Sequence, residues 1–194
     1  LLPVWRGREI DKTDGMLLMF DAADDAVGYA LAYHRALAAL PRPLRARAGL
    51  HVGPVLLRHN DAADVARGAK PIEVEGLAKP IAARVMSLAR GGQTLITAEA
   101  RAALSEGAVR VESHGHWVMK GVSEPVELFE VGADDAPFAA PPDSEKVYRV
   151  VQSNERWLPV REIPNNLPLQ TTSFIGRERE LAEIKAHLSS ARLL

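Results

Sequence analysis

Polar and apolar positions repeat along this chain in patterns that predict most of its elements. Residues 8–13 are a short polar run that reads as a strand, an Asp14-Gly15 pair follows, and residues 16–20 are an apolar run. Asp-Gly between two strand-like segments predicts a hairpin, because both central positions of a type I′ turn need positive φ. Val27, Ala30, Leu31, His34 and Leu37 then recur at helical spacing and predict a helix over 26–40. Asp21 is its expected N-cap, Asp24 and Asp25 suit its positive end, and Pro41 and Pro43 stop it. His34 on the apolar face reads as a packed histidine. Residues 44–57 are a strand candidate in which Arg45 and Arg47 alternate with Leu44, Ala46 and Ala48, Gly49 and Gly53 interrupt, and Pro54 suits a central strand only at a bulge. Glycine inside a strand marks a bulge, or a place where a ligand or second backbone comes close.

Residues 58–76 show no period and read as a polar loop, with Lys70 and Glu73 to Glu75 solvated. Ile81, Val85 and Leu88 predict a helix over 77–89, with Pro80 in its first turn, where a missing N–H is tolerated. Residues 93–97 read as a strand, and Thr97 caps a short helix over 98–104. Two strands at 109–111 and 116–119, a turn at 120–125 and a last strand at 126–131 follow. Prolines 137, 141, 142, 159, 164 and 168 then punctuate an extended linker. Leu181, Ile184 and Leu188 place one apolar side on a helix over 177–188.

Composition narrows the chemistry. A net charge of −1 leaves no electrostatic footprint for nucleic acid or an acidic membrane surface. The chain has no cysteine, so disulfides, thiolate catalysis and sulfur metal sites are excluded. No apolar run reaches the roughly 18 residues of a membrane helix, and no signal pattern opens the chain. The expected location is therefore the cytoplasm, without a membrane partner. The ends, Leu1-Leu2-Pro3 and Ala191-Arg192-Leu193-Leu194, read as cut rather than finished. Asp14 is a turn former, or a hard oxygen ligand suited to Mg²⁺. His114 and His116 share one face of a strand but lack an evident third metal ligand.

Alternation of strands and helices over 8–131 indicates an α/β sandwich, one sheet with helices packed on it. Five motifs occur in order: Asp14-Gly15; Arg47-Ala48-Gly49-Leu50-His51-Val52-Gly53; Ala82-Ala83-Arg84; Gly92-Gln93-Thr94-Leu95; and Met119-Lys120-Gly121-Val122-Ser123-Glu124-Pro125-Val126. Together they resemble a class III adenylate/guanylate cyclase homology domain, which implies a ferredoxin-like sheet. The segment Ser173-Phe174-Ile175-Gly176-Arg177-Glu178-Arg179-Glu180-Leu181 resembles the opening of an NTPase domain that follows such domains in bacterial regulators. No Gly-x-x-x-x-Gly-Lys-Ser/Thr phosphate loop occurs in the chain. The expected organisation is a cyclase homology domain over 1–132 lacking its first strand and helix, a Pro-rich linker over 133–170, and the start of an NTPase domain over 171–194.

The resemblance implies a homodimer that converts ATP or GTP to cyclic nucleotide and pyrophosphate with two metal ions, Mg²⁺ or Mn²⁺. It implies Asp14 as one metal ligand, the other aspartate belonging to a strand before Leu1. It implies Arg84 and Lys120 as stabilisers of transition-state charge. Lys12 and Gly53 become substrate-binding candidates, although Ile10 holds the spacing where the base-contacting lysine is expected. Pro80 stands where the motif has a ribose-orienting asparagine, and Leu77 near its base-selecting position. Arg84 also reads as a surface arginine paired with Glu75, and His51 as structural. Two further readings stay open: a catalytically degenerate regulatory module controlling an adjoining ATPase, and a purely structural dimerisation domain. With half of the implied metal site missing, these 194 residues alone are expected to yield no cyclic nucleotide with Mg²⁺ or Mn²⁺; formation of product would refute that expectation.

Overall fold

A computed structural model describes residues 1–12, 15–107, 109–133, 137–143, 147–153 and 156–160. The chain divides into two compact units, Leu1–Arg161 and Glu162–Leu194, and all described residues belong to the first. The expected helix over 177–188 and the NTPase-like segment lie outside the described residues, as do Thr13 and Asp14.

Strands β1 (Arg8–Lys12) and β2 (Met16–Met19) form the expected antiparallel hairpin. Lys12 pairs with Met16 at the end of the hairpin, and the expected turn lies largely outside the described residues. Helix α1 (Ala23–Ala38) starts earlier than its periodicity predicts. Its N-cap is Ala22, without a side-chain bond, because Asp21 instead accepts from the Arg8 guanidinium. Asp24 in the first turn accepts from the backbone N and the hydroxyl of Ser105, joining α1 to the loop after the fourth helix. His34 is packed as expected, its Nε2 2.9 Å from Thr94 Oγ1.

The strand expected over 44–57 is two strands, β3 (Ala48–Leu50) and β4 (Leu56–His59). Strand β4 pairs antiparallel with β5 (Ile72–Glu75), and α2 (Ala62–Ala66) lies between them, capped by Asp61. The polar loop expected at 58–76 is thus a two-stranded ribbon. Most of its β4 positions are exposed, so it lacks the half-buried alternation that announces a strand.

Helix α3 (Ala78–Leu88) carries Pro80 in its first turn. Strand β6 (Thr94–Thr97) leads into α4 (Ala98–Ala102), whose N-cap Thr97 accepts from Ala100 N as the sequence predicts. One long strand, β7 (Arg110–Met119), runs through what read as two, with a register shift between Ser113 and Gly115. After β8 (Val126–Gly132) come β9 (Val147–Ser153) and β10 (Arg156–Pro159). These last strands lie within the stretch read as linker. Its prolines do not forbid them: Pro137, Pro141 and Pro142 precede β9, and Pro159 ends an edge strand.

The main sheet has the order β10-β9-β7-β8-β6-β3, with β3 parallel to β6 and the other neighbours antiparallel. Successive residues of β6 serve opposite faces, as the pleat requires. Leu95 packs with Val85, Leu88, Trp117, Met119 and Leu128 under α3, while Ile96 packs with Val27, Ala100, Leu104 and Val131 under α1 and α4. Helices thus cover both faces of the sheet, the mixed α/β architecture that the pattern predicts.

Gly49 is the place of close approach. A Cβ there would stand 2.5 Å from Met86 Cα and 2.8 Å from Ala82 O, so β3 meets α3 backbone to backbone. Gly49→Ala is expected to lower unfolding free energy by about 2–3 kcal/mol, the cost of overpacking a site that backbone cannot vacate cheaply. Urea denaturation checks this; an unchanged midpoint would contradict it.

Candidate functional site

The N-cap of helix α3 is Leu77, which is 76% exposed. Nearly two turns on, Arg84 Nε donates to the backbone carbonyl of Lys120, and Arg84 Nη1 donates to the Pro80 carbonyl at 3.1 Å. Lys120 lies in the turn between β7 and β8, closed by Val122 N donating to Met119 O at 3.0 Å. The structure therefore brings together Arg84 and Lys120, which lie 36 residues apart. The partners found for Arg84 are main-chain carbonyls rather than Glu75.

Gly53 lies between β3 and β4, beside the His51 ring and near Ala78 at the start of α3. Lys12 is exposed at the end of β1. Its neighbour Asp11 accepts from Lys70 Nζ at 2.6 Å; Lys70 is an exposed loop residue, as expected, that also makes this ion pair. That bond holds the Asp11 carboxyl below its ordinary range, with Lys79 of α3 contributing and burial opposing. The end of β1 is thus tied to the approach to β5 and feels the charge of the first turn of α3. Asp14 lies outside the described residues. Among the described residues no group of three His, Cys, Asp or Glu side chains could hold a metal ion.

The histidines divide into separate tasks. His51 Nδ1 lies 2.9 Å from Thr97 Oγ1 and 3.6 Å from Glu99, fastening the end of β3 to the start of α4. His114 is buried, with Nε2 2.9 Å from Glu130 Oε2, whereas His116 packs its ring 4.6 Å from Trp157. The sequence gives no sign of the node around Glu130. Its Oε2 also accepts from Gln93 Nε2 at 2.7 Å and Ala139 N at 3.1 Å, and Gln93 Nε2 donates to Ala139 O as well. Gln93, read only as part of a motif, ties the segment after β8 to the sheet. Three hydrogen-bond partners converge on this one buried oxygen, so its burial leaves it satisfied.

Similarities to known proteins match this architecture. The chain matches no family model. It is 33% identical over 93 residues to the receptor-type adenylate cyclase GRESAG 4.3 of Trypanosoma brucei brucei, a match covering 46% of this chain and 7% of that protein. An adenylate cyclase structure from Trypanosoma brucei in its monomeric state superposes with a TM-score of 0.63 at 21% identity, over 72% of this chain and 76% of that one. The guanylate cyclase domain of RhGC from Catenaria anguillulae, solved with GTP, superposes with a TM-score of 0.58 at 18% identity, over 68% and 75%. The fold is that of adenylate and guanylate cyclase domains. The chain spans only a small fraction of the curated relative that it matches.

Two histidines give the fold a pH dependence. Burial holds His51 below its ordinary 6.5, with Glu99 opposing, and burial holds His34 below 6.5, with the Gln93 carbonyl opposing. At pH values between the folded and unfolded pKa, the unfolded chain binds protons that the folded chain refuses. Stability is then full above 6.5 and falls as the pH drops toward the folded values. The urea midpoint is expected to fall between about pH 7 and pH 5, and less steeply in His51→Gln. A flat wild-type profile, or an identical slope in the variant, would contradict this.

Proposed function

We propose that this chain carries a nucleotide cyclase-type signalling domain, which in a dimer of the intact parent converts ATP or GTP to cyclic nucleotide and pyrophosphate. The observation that supports the reading is the hydrogen bond from Arg84 Nε to the Lys120 main-chain carbonyl, which joins two motif residues of α3 and the β7–β8 turn. In this reaction the ribose 3′ oxygen attacks the α-phosphorus while the bond to pyrophosphate breaks, and negative charge grows on the phosphate oxygens. Arg84 and Lys120 stabilise that charge as preorganised donors. Lys12 faces the base, and Gly53 lets substrate approach the backbone closely. Asp14 would hold Mg²⁺ or Mn²⁺, which when bound offsets phosphate charge.

A second copy of the chain would cover the apolar residues left exposed near the start of α3. Val55, Leu56 and Leu77 are 41%, 65% and 76% exposed, and Leu56 pairs with Glu75, two residues before Leu77. On this reading these exposed apolar side chains are what the second copy would pack against. The adjoining partner in the parent is an NTPase domain. No helix among the described residues is long and apolar enough to cross a membrane, and the reading places the domain in the cytoplasm with its triphosphate substrate.

Leu77 and Pro80 favour a second reading, a catalytically degenerate module that regulates the adjoining ATPase through dimerisation. The Leu77 side chain cannot hydrogen-bond a purine edge, and the Pro80 side chain offers a ribose no donor. Turnover of ATP and GTP by the intact parent separates the two. On the cyclase reading Arg84→Ala and Asp14→Ala each lower kcat by about 100-fold or more. Nucleotide binding without turnover selects the regulatory reading, and absence of binding overturns the nucleotide site altogether.

A further inference from the structure

We propose that Arg84 is a positioning residue for Lys120: its Nε–H sets the direction of the Lys120–Gly121 peptide, and so the reach of the Lys120 ammonium. The turn closes from Val122 N to Met119 O, making Lys120 and Gly121 its central residues. Gly121 has φ of +77°, while Lys120 is not among the residues with positive φ. That combination is a type II turn, in which the central peptide is flipped relative to type I. The two orientations share the closing hydrogen bond, so that bond cannot choose between them. The central carbonyl can choose, and here it is the acceptor for Arg84 Nε.

The guanidinium is itself held in place. Nη1 donates to Pro80 O, and Nη2 lies against Gly121, where a Cβ would be 2.9 Å away. Ile81 of α3 and Val122 and Val126 beyond the turn pack on one core cluster. Helix and turn therefore cannot drift apart, and the freedom left is the peptide flip that Arg84 suppresses. Nε and one Nη1 hydrogen are occupied by carbonyls, whereas Nη2 has no hydrogen-bond acceptor among the described residues. An anion bound beside Lys120 would thus meet the Nη end of the guanidinium rather than its Nε edge. The inference about the anion rests on the proposed triphosphate site; the inference about the turn does not.

The test uses NMR on the whole chain without nucleotide. A strong NOE from the Hα of residue 120 to the Gly121 amide reports type II, and a strong NOE between the two amides reports type I. Wild type and Lys120→Ala, which keeps the carbonyl, are expected to show the first pattern. Arg84→Gln and Arg84→Lys are expected to shift toward the second, because a lysine ammonium keeps the charge but not the planar fork that spans both carbonyls. Unchanged NOE patterns in a folded Arg84 variant would overturn the proposal. Inorganic tripolyphosphate then probes the site: Arg84→Lys should bind it about tenfold more weakly than wild type despite its retained charge. Equal binding would overturn the positioning of Lys120. Failure of wild type to bind tripolyphosphate would instead overturn the nucleotide reading, while the NOE still decides the role of Arg84 in the turn.

Discussion

Backbone meets backbone where β3 crosses α3, and this contact governs the rest of the molecule. With no side chain at Gly49, the main chain of Ala82 and Met86 settles directly onto the strand. The height of the helix above the sheet follows from it. At that height Val85 and Leu88 reach Leu95, Trp117 and Leu128 in the core, and Arg84, one residue before Val85, reaches over the sheet to the turn at Lys120. The helix acts as a rigid bar between an edge strand and the β7–β8 turn. A larger residue at position 49 would displace both ends of it.

The elements with a buried stripe and a local terminus signal were legible in the chain. Helix α3 had its apolar period and an early proline, and α4 had Thr97. The β4–β5 ribbon and the β9–β10 pair were not legible. Leu56, Arg58 and His59 face solvent, so no period marked the ribbon, and the prolines around β9–β10 read as linker because composition does not say which side of a strand goes unpaired. Asp21 misled as a cap because Arg8, distant in sequence, competes for its carboxylate.

The site was legible one residue at a time. Arg84 and Lys120 stand in recognisable motifs, but the bond between them ends on a main-chain carbonyl, which carries no residue identity and leaves no trace in a sequence. The Glu130 node stayed hidden for a related reason: two of its three partners, Gln93 and Ala139, lie on segments before β6 and after β8, and only the fold converges them. Gly49 carried its own signal, since an interrupting glycine announces that something approaches closely. Which partner approaches required the structure.

Fold and residue chemistry meet at the start of α3. The fold joins α3 to the β7–β8 turn through Arg84 and the Lys120 carbonyl, and on the proposed reading Leu77 and Pro80 at the head of the same helix offer a nucleoside no hydrogen-bonding side chain. The central claim is that a triphosphate docks on this helix and turn. Amide hydrogen exchange of the intact parent, with and without ATP or GTP in the presence of Mn²⁺, tests it most directly. The account predicts slower exchange that includes residues 77–84 and 119–122 when nucleotide is present. Protection appearing only elsewhere, or none at saturating nucleotide, would contradict it.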